Sequence, residues 1–454
     1  MRLVNGILQL WRGGLRAVVG LSSATVLGQV LVAASMPLLT RLYAPEEMGI
    51  FATFSGLATT IFVAAGFRYE AAIPLARHEL HARLLLQLAL VCGAVVALVC
   101  VPVVWLGGDA IASGIEAPRL APLLWLLPLF VAFASATRSY QALAVRDRRF
   151  ADVARTRVLQ APATLVPQLG GGYVGLGAPA LIVGFILGQT AGLWSLMRGP
   201  GWPWRLVDDR LRRLPRFLAL GRKHWRFPLL DMPAAFANTL ANHLPSLVLA
   251  FFISPAAAGV YAVHQRFLLG PAAIITQAIG QVMLGDVRVD LHTGAIVTKA
   301  LRVAALLTAL AVVVAVVGGW LADPLMRWIV GPSFDVGHAP YARFVLWSVC
   351  AQFVFSPLSV LLSATKAQGL YLVSQLVLMT GRGVALWWFA VRGDAFLAVA
   401  ASSLVSCVVY MLGTIVVVVH VRRFTARNTV PSTVTMSSAP PLSGSGAGPV
   451  PPAG

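Results

Sequence analysis

The residues in this sequence that could do chemistry are a few charged side chains set in long apolar runs. Arg266 follows His264 and Gln265, Arg382 stands between Gly381 and Gly383, and Arg138 closes a further apolar stretch. Arg68 and Glu70 stand where another such stretch ends. A charge at the centre of a bilayer costs about 2.5–3.5 kcal/mol on insertion scales, so each one needs a reason. A guanidinium presents a planar fork of donors that pairs bidentately with phosphate oxygens. Arg266 and Arg382 are therefore candidates to hold an anionic group inside the membrane. For Arg138, Arg68 and Glu70 the competing reading is that they snorkel to the interface, and Arg68 and Glu70 could simply pair with each other. Asp231 opens another apolar run, with Asn238 and Asn242 following on one helical face. Ser22, Thr25 and Gln29 form a similar polar stripe nearer the N-terminus, and Gln29, Asn238 and Asn242 are candidates to line a central aqueous cavity and bind the substrate. Asp231 and Glu70 are candidates for H+ or Na+ coupling, with N-capping of its own helix the alternative role for Asp231.

Other chemistry is poorly provided for. Cys92, Cys100, Cys350 and Cys407 sit in apolar runs without metal-ligand spacing, and the eight His make no HExxH pattern. Buried reduced thiols are expected, with no metal site and no cofactor. There is no Walker A motif, so ATP is not expected as the direct energy source. No acid/base pair stands at a telling spacing, and an enzyme is not expected.

The elements that must position these residues follow from composition. The chain has 454 residues, 58% hydrophobic and 11% charged, with a mean hydropathy of +0.81. An ordinary globular domain carries about 25% charged residues. So little charge cannot clothe a soluble protein of this size, and a polytopic membrane protein is indicated. A spanning helix needs about 20 apolar residues. Windows of that length place twelve spans, near 18–40, 48–67, 84–106, 119–138, 156–175, 178–197, 228–252, 257–282, 303–322, 341–364, 369–391 and 396–419. The fifth is interrupted by Pro162, Pro167 and Gly170–Gly172. The fold expected is all-α and integral to the membrane.

The formal net charge of +19 would suggest a nucleic-acid partner in a soluble protein. Sorted by segment, it marks orientation instead. With the N-terminus inside, 27 of the 35 Lys and Arg fall in inside segments. Five fall outside (Arg41, Arg119, Arg327, Arg343 and Arg392), and three lie within spans. Positive residues concentrate on the cytoplasmic side, so both termini are expected inside and no nucleic acid is expected. Residues 1–17 alternate apolar and basic positions as an interfacial helix does. Residues 198–227 form a basic cytoplasmic linker with Trp202, Trp204 and Trp225, suited to anionic inner-leaflet lipids or serving topology alone. Residues 426–454 are rich in Pro, Ser, Gly and Ala and are expected to be disordered.

Two halves, 18–197 and 228–425, are suggested by a duplication. Ala44-Pro45-Glu46-Glu47-Met48-Gly49-Ile50-Phe51-Ala52 recurs 210 residues later as Ser254-Pro255-Ala256-Ala257-Ala258-Gly259-Val260-Tyr261-Ala262. The expected job is local: Pro ends one helix, Gly permits the turn, and the next helix starts. Six spans per half give both halves the same orientation, with a pseudo-two-fold axis along the membrane normal and a central cavity between the bundles.

The stretches PLLTRLYAPEEMGIFATFSG, FRYEAAIPLAR and the run from Arg226 to Leu284 resemble the bacterial Wzx-type oligosaccharide flippases of the MOP superfamily. The resemblance spans about residues 18–425, with Arg68-Tyr69-Glu70 and the Leu-Tyr-x-Pro-Glu-Glu-x-Gly hairpin its most specific pieces. It implies two six-helix bundles in the bacterial inner membrane. Its implied activity moves undecaprenyl-diphosphate-linked oligosaccharide from the inner to the outer leaflet by alternating access, in O-antigen, lipopolysaccharide or exopolysaccharide biosynthesis. The chain is expected to act as a monomer, with a polymerase and a chain-length regulator as pathway partners. At the position of Asp231 the family often carries a hydroxyl residue, which counts against an ion site there. The alternatives are a MATE-like cation-coupled exporter of small molecules and, further off, a membrane polymerase or ligase. Three arginines within the spans against one acid at a span edge favour an anionic substrate over cationic drugs.

Overall fold

The computed structural model describes residues 28–197, 214–331 and 341–428, apart from 29, 33, 77, 294 and 366, together with Phe334. The helices of the first half are α1 (Val30–Leu42), α2 (Pro45–Ala65), α3 (Glu79–Gly114), α4 (Leu126–Arg146), α5 (Phe150–Tyr173) and α6 (Ala178–Thr190). A short helix, Leu193–Met197, prolongs α6, and Leu214–Lys223 is a helix within the described part of the linker. The second half contains α7 (Met232–Phe252), α8 (Pro255–Thr293), α9 (Ala295–Val330), α10 (Tyr341–Ala364), α11 (Gln368–Ala390) and α12 (Ala395–Asn428). The starts of α8 to α12 trail those of α2 to α6 at a near-constant interval, and α3 and α9 are both 36 residues long. Pairing repeats as well: α3 packs on α4 as α9 packs on α10, and α5 on α6 as α11 on α12.

Eight of these helices are long and apolar enough to cross a membrane, among the described residues. A ninth arises if Pro118–Leu124 and Leu126–Arg146, bent by 44°, form one span. That is fewer than the twelve expected spans, although each expectation coincides with a helix. The three that fall short are α1, α5 and α8. Of these, α5 and α8 carry polar side chains that face an interior cavity, which lowers their apolarity for a structural reason. The proline- and glycine-interrupted fifth stretch is one continuous helix, α5. Large apolar side chains stay exposed along α3 (Leu98, Leu106), α9 (Leu306, Val316) and α12 (Leu404, Met411), as faces solvated by lipid do. Trp105, Trp320 and Trp328 stand exposed toward the hairpin end of α3 and α9, where an aromatic belt belongs.

The duplicated hairpins join the halves. Both begin a helix as expected: the Glu47 carboxylate accepts from the Ala44 amide at 3.2 Å, and Ser254 Oγ accepts from the Ala257 amide at 3.1 Å. The glycines do something else. Gly49 and Gly259 lie inside α2 and α8, not in the turns. A Cβ on Gly49 would overlap the carbonyl oxygen of Pro255, and one on Gly259 would overlap that of Pro45. Each hairpin thus seats its glycine on the proline carbonyl of the other, across the pseudo-two-fold axis. Around this contact α2 packs on α7 and α8, and one apolar core containing Phe54, Leu249, Tyr261 and Leu358 runs through both halves.

Overpacking a well-packed interior costs about 1–3 kcal/mol. Gly49→Ala and Gly259→Ala should each lower the Tm of purified protein. Gly107→Ala, where nothing lies within 4 Å, should not. A scan in which all three variants melt together contradicts the backbone contact.

Candidate functional site

Below the hairpin junction the halves diverge and leave a cavity of about 440 Å³ among α1, α2, α6, α7 and α8. Its walls carry Phe51, Ser55 and Thr59 from α2, Thr239, Asn242 and His243 from α7, and Gln265 and Arg266 from α8. A second cavity of about 320 Å³ adjoins it, sharing Met36, Phe185 and Arg266, and extends toward α5. There it is lined by Arg157, Gln160 and Thr164 of α5 and by Gln189 of α6. The wall between α5 and α6 is tight. A Cβ on Gly184 or Gly188 would press on Thr164, so the GxxxG spacing of α6 brings the two backbones together.

Arg266 is the residue common to both spaces, about three turns into α8. Its guanidinium carbon lies 5.7 Å from the centre of the Phe51 ring, a cation–π contact across the halves. Arg157 Nη1 donates to Gln160 Oε1 at 3.2 Å. Among the described residues, neither arginine meets a carboxylate and none that lines either cavity is acidic. Polar links fix the walls. His243 Nε2 and Thr59 Oγ1 are 2.9 Å apart, and Gln265 Nε2 donates to the Asn242 carbonyl at 3.0 Å. A Cβ on Gly56 would come within 3.3 Å of the His243 side chain, so this glycine lets the ring approach α2. The larger cavity holds an unpaired guanidinium and several hydrogen-bonding groups within a mostly apolar wall that includes Met36, Met48 and Phe185.

Four other expected site residues gather elsewhere, at the end of the bundle nearest the linker. Arg68 Nε bonds Asp231 Oδ2 at 2.8 Å, joining the halves a second time. Arg68 Nη1 is 3.8 Å from Glu70 Oε1, and Arg138 Nε is 3.4 Å from the same oxygen. Arg138 also lies over the Phe62 ring at 5.4 Å. The chain reaches this position through Phe67 and Arg68, both left-handed with φ of 47° and 60°. L-residues rarely take that conformation, so the ion pairs and packing hold the turn. Glu70 is 5% exposed, and its Oε2 has no hydrogen-bond partner. The pairing of Arg68 with Glu70 agrees with the sequence; the capping role of Asp231 does not. Residues Phe227–Asp231 form a π-helical turn that runs straight into α7, so Asp231 is itself helical and caps nothing with its side chain. Its carboxylate is free to reach Arg68.

The remaining candidates separate. Asn242 lines the larger cavity, while Asn238 supports it, its carbonyl accepting from Asn242 Nδ2 at 2.9 Å. Gln29, Ser22 and Thr25 lie outside the described residues. Arg382, expected like Arg266 to hold an anionic group, lines neither cavity; it is enclosed within the second half, on the buried face of α11. Sequence reasoning missed Arg157, Gln160, His243 and Gln189. Arg157 was counted with the cytoplasmic flank of the fifth span, whereas α5 begins at Phe150 and carries it about two turns inward.

Residues 38–336 match the model of a family described as polysaccharide biosynthesis protein. A relative by sequence is the succinoglycan biosynthesis transport protein ExoT of Rhizobium meliloti (strain 1021). It is 23% identical over 366 residues, which cover 78% of this chain and 67% of that one. Among solved structures, the chain is similar to lipid II flippase MurJ in an inward closed conformation, with a TM-score of 0.59, 12% identity and 90% of each chain covered. It is also similar to a MOP superfamily transporter from Pyrococcus furiosus described as having a binding pocket of reverse polarity. That match has a TM-score of 0.57 and 14% identity, covering 90% of this chain and 95% of the other. At such identities the structures establish the fold, which is the one shared by MurJ and the MATE transporters.

The Arg68–Asp231 pair is about one-fifth exposed on each side. That places it between the exposed-pair and buried-pair limits, at about 1–3 kcal/mol of coupling. A double-mutant cycle on Arg68→Gln and Asp231→Asn, read by Tm or denaturant midpoint, should return that coupling. Additive single effects contradict the pair.

Proposed function

The chain belongs to the polysaccharide biosynthesis protein family, and from that premise we propose that it is a flippase for undecaprenyl-diphosphate-linked oligosaccharide. The observation that carries this reading is the placement of Arg266 and Arg157 in adjoining acid-free cavities between the halves. Flipping such a lipid requires a shielded polar space for the diphosphate and sugar while the prenyl chain stays in the bilayer. Two guanidinium groups suit a diphosphate, and the Asn, Gln, Thr and His groups around them suit sugar hydroxyls. A cation exporter needs the opposite charge on these walls.

Access alternates between the two ends. The linker end faces the cytoplasm, as the distribution of Lys and Arg indicates. The hairpin junction closes the periplasmic end in this conformation, and opening it means parting Gly49 and Gly259 from the proline carbonyls. The Arg68–Asp231 pair holds the cytoplasmic end and breaks when that end opens. Glu70, buried with one oxygen unpartnered, is the acid that takes up a coupling proton. Protonation there would free Arg138 and weaken the hold on Arg68.

A hydrogen bond to a charged group contributes about 1.5–3 kcal/mol, or roughly 10- to 100-fold in affinity. Arg266→Gln and Arg157→Gln should each weaken binding of undecaprenyl diphosphate to purified protein by that factor. They should also abolish surface polysaccharide at unchanged protein level. Normal polymer and unchanged affinity in both variants would overturn the reading. Transport in vesicles should slow when the proton gradient is collapsed and, in Glu70→Gln, should no longer respond to it; an equal response in both proteins contradicts the coupling role.

A further inference from the structure

The second half encloses a positive charge that the transport pathway does not use. Arg382, on α11, is 3% exposed. Its Nη2 donates to the Tyr261 hydroxyl on α8 at 3.4 Å, a long bond, and its buried Nε meets no acceptor. No carboxylate pairs with it among the described residues. The surroundings are polar, and two of their groups lack partners. Gln375, about two turns earlier on the same buried face of α11, has an unpartnered Oε1. On α12, which packs against α11, the buried residues Ser402, Ser406 and Tyr410 recur at four-residue spacing, and the Tyr410 hydroxyl is unpartnered. Tyr261, Tyr410 and Cys407 all lie within electrostatic reach of the guanidinium.

A buried charge without a partner is expensive, and chains avoid it by neutralising the group or by taking up a counter-ion. A guanidinium does not release its proton, so the first route is closed. The groups left over include two donors, Arg382 Nε–H and Tyr410 O–H, and donors call for an anion. Among the described residues no cluster of His, Cys, Asp or Glu could hold a metal ion there. Arg382, Tyr261 and Tyr410 are each 3% exposed or less, and so enclosed a setting suits a small ligand. We propose that the interior of the second half holds one small monovalent inorganic anion of the chloride class, bound by Arg382 with Tyr410 as its second donor. The anion is a fixed counter-ion that ties α11 to α12 and α8, apart from the diphosphate site at Arg266.

The test is the Tm of purified protein in sodium gluconate against sodium chloride or bromide at equal ionic strength. Halide should raise the Tm of the wild type, and of Arg266→Gln, by about 2–6 °C. The shift should vanish in Arg382→Gln and shrink in Tyr410→Phe, and bromide soaked into crystals should give an anomalous peak beside Arg382 Nε. A wild-type Tm indifferent to halide overturns the proposal, as does a full shift in Arg382→Gln. Should Arg382→Gln fail to fold, an undiminished shift in Tyr410→Phe overturns it instead. Because Arg266→Gln removes the substrate site and keeps the halide shift, the result is independent of the transport reading.

Discussion

A helix can rest on the backbone of another where a glycine leaves out the Cβ that would stand between them, and this protein satisfies that condition twice at one place. Gly49 rests on the Pro255 carbonyl and Gly259 on that of Pro45, so each copy of the duplicated hairpin supplies both halves of the contact. In lipid, where apolar burial gives helices little reason to associate, close packing of this kind is what holds them together. From this junction α2, α7 and α8 pass around a space whose walls carry Phe51, His243 and Arg266. The central cavity is the space that results.

The other end is closed by different physics. Arg68 and Asp231 form a partly exposed ion pair, which a modest change in charge or hydration can release. The hairpin junction is a dry contact of backbone atoms that opens only if whole helices move. Having one end held by charge and the other by shape lets the two respond to different signals.

Much of the fold was legible in the sequence. Apolar windows overlapped the helices α1 to α12 because lipid solvation imposes a length and composition on a spanning helix, although eight of them, or nine with the bent pair, meet both among the described residues; the Pro-x-x-x-Gly repeat exposed the duplication. What the repeat does was not legible. As a local pattern it describes turn chemistry, and only the tertiary arrangement brings Gly49 against the other hairpin. The charged candidates split for the same reason. Arg266 and Arg382 have similar apolar neighbours along the chain, yet one faces the cavity and the other the interior of its own half. Asp231 looked like a helix cap because the π turn that carries it into α7 leaves no sequence mark. Arg157 was hidden by standing near a span end, where a basic residue ordinarily marks orientation.

The account rests on the substrate headgroup occupying the cavity at Arg266. The most direct measurement is photocrosslinking in cells that make radiolabelled lipid-linked oligosaccharide, with a photoreactive amino acid placed at Ser55 or Gln189 in the cavities or at lipid-facing Leu106. The predicted result is a labelled adduct carrying both sugar and diphosphate at Ser55 and Gln189, with none at Leu106. Labelling that is equal at all three positions, or confined to Leu106, would contradict it.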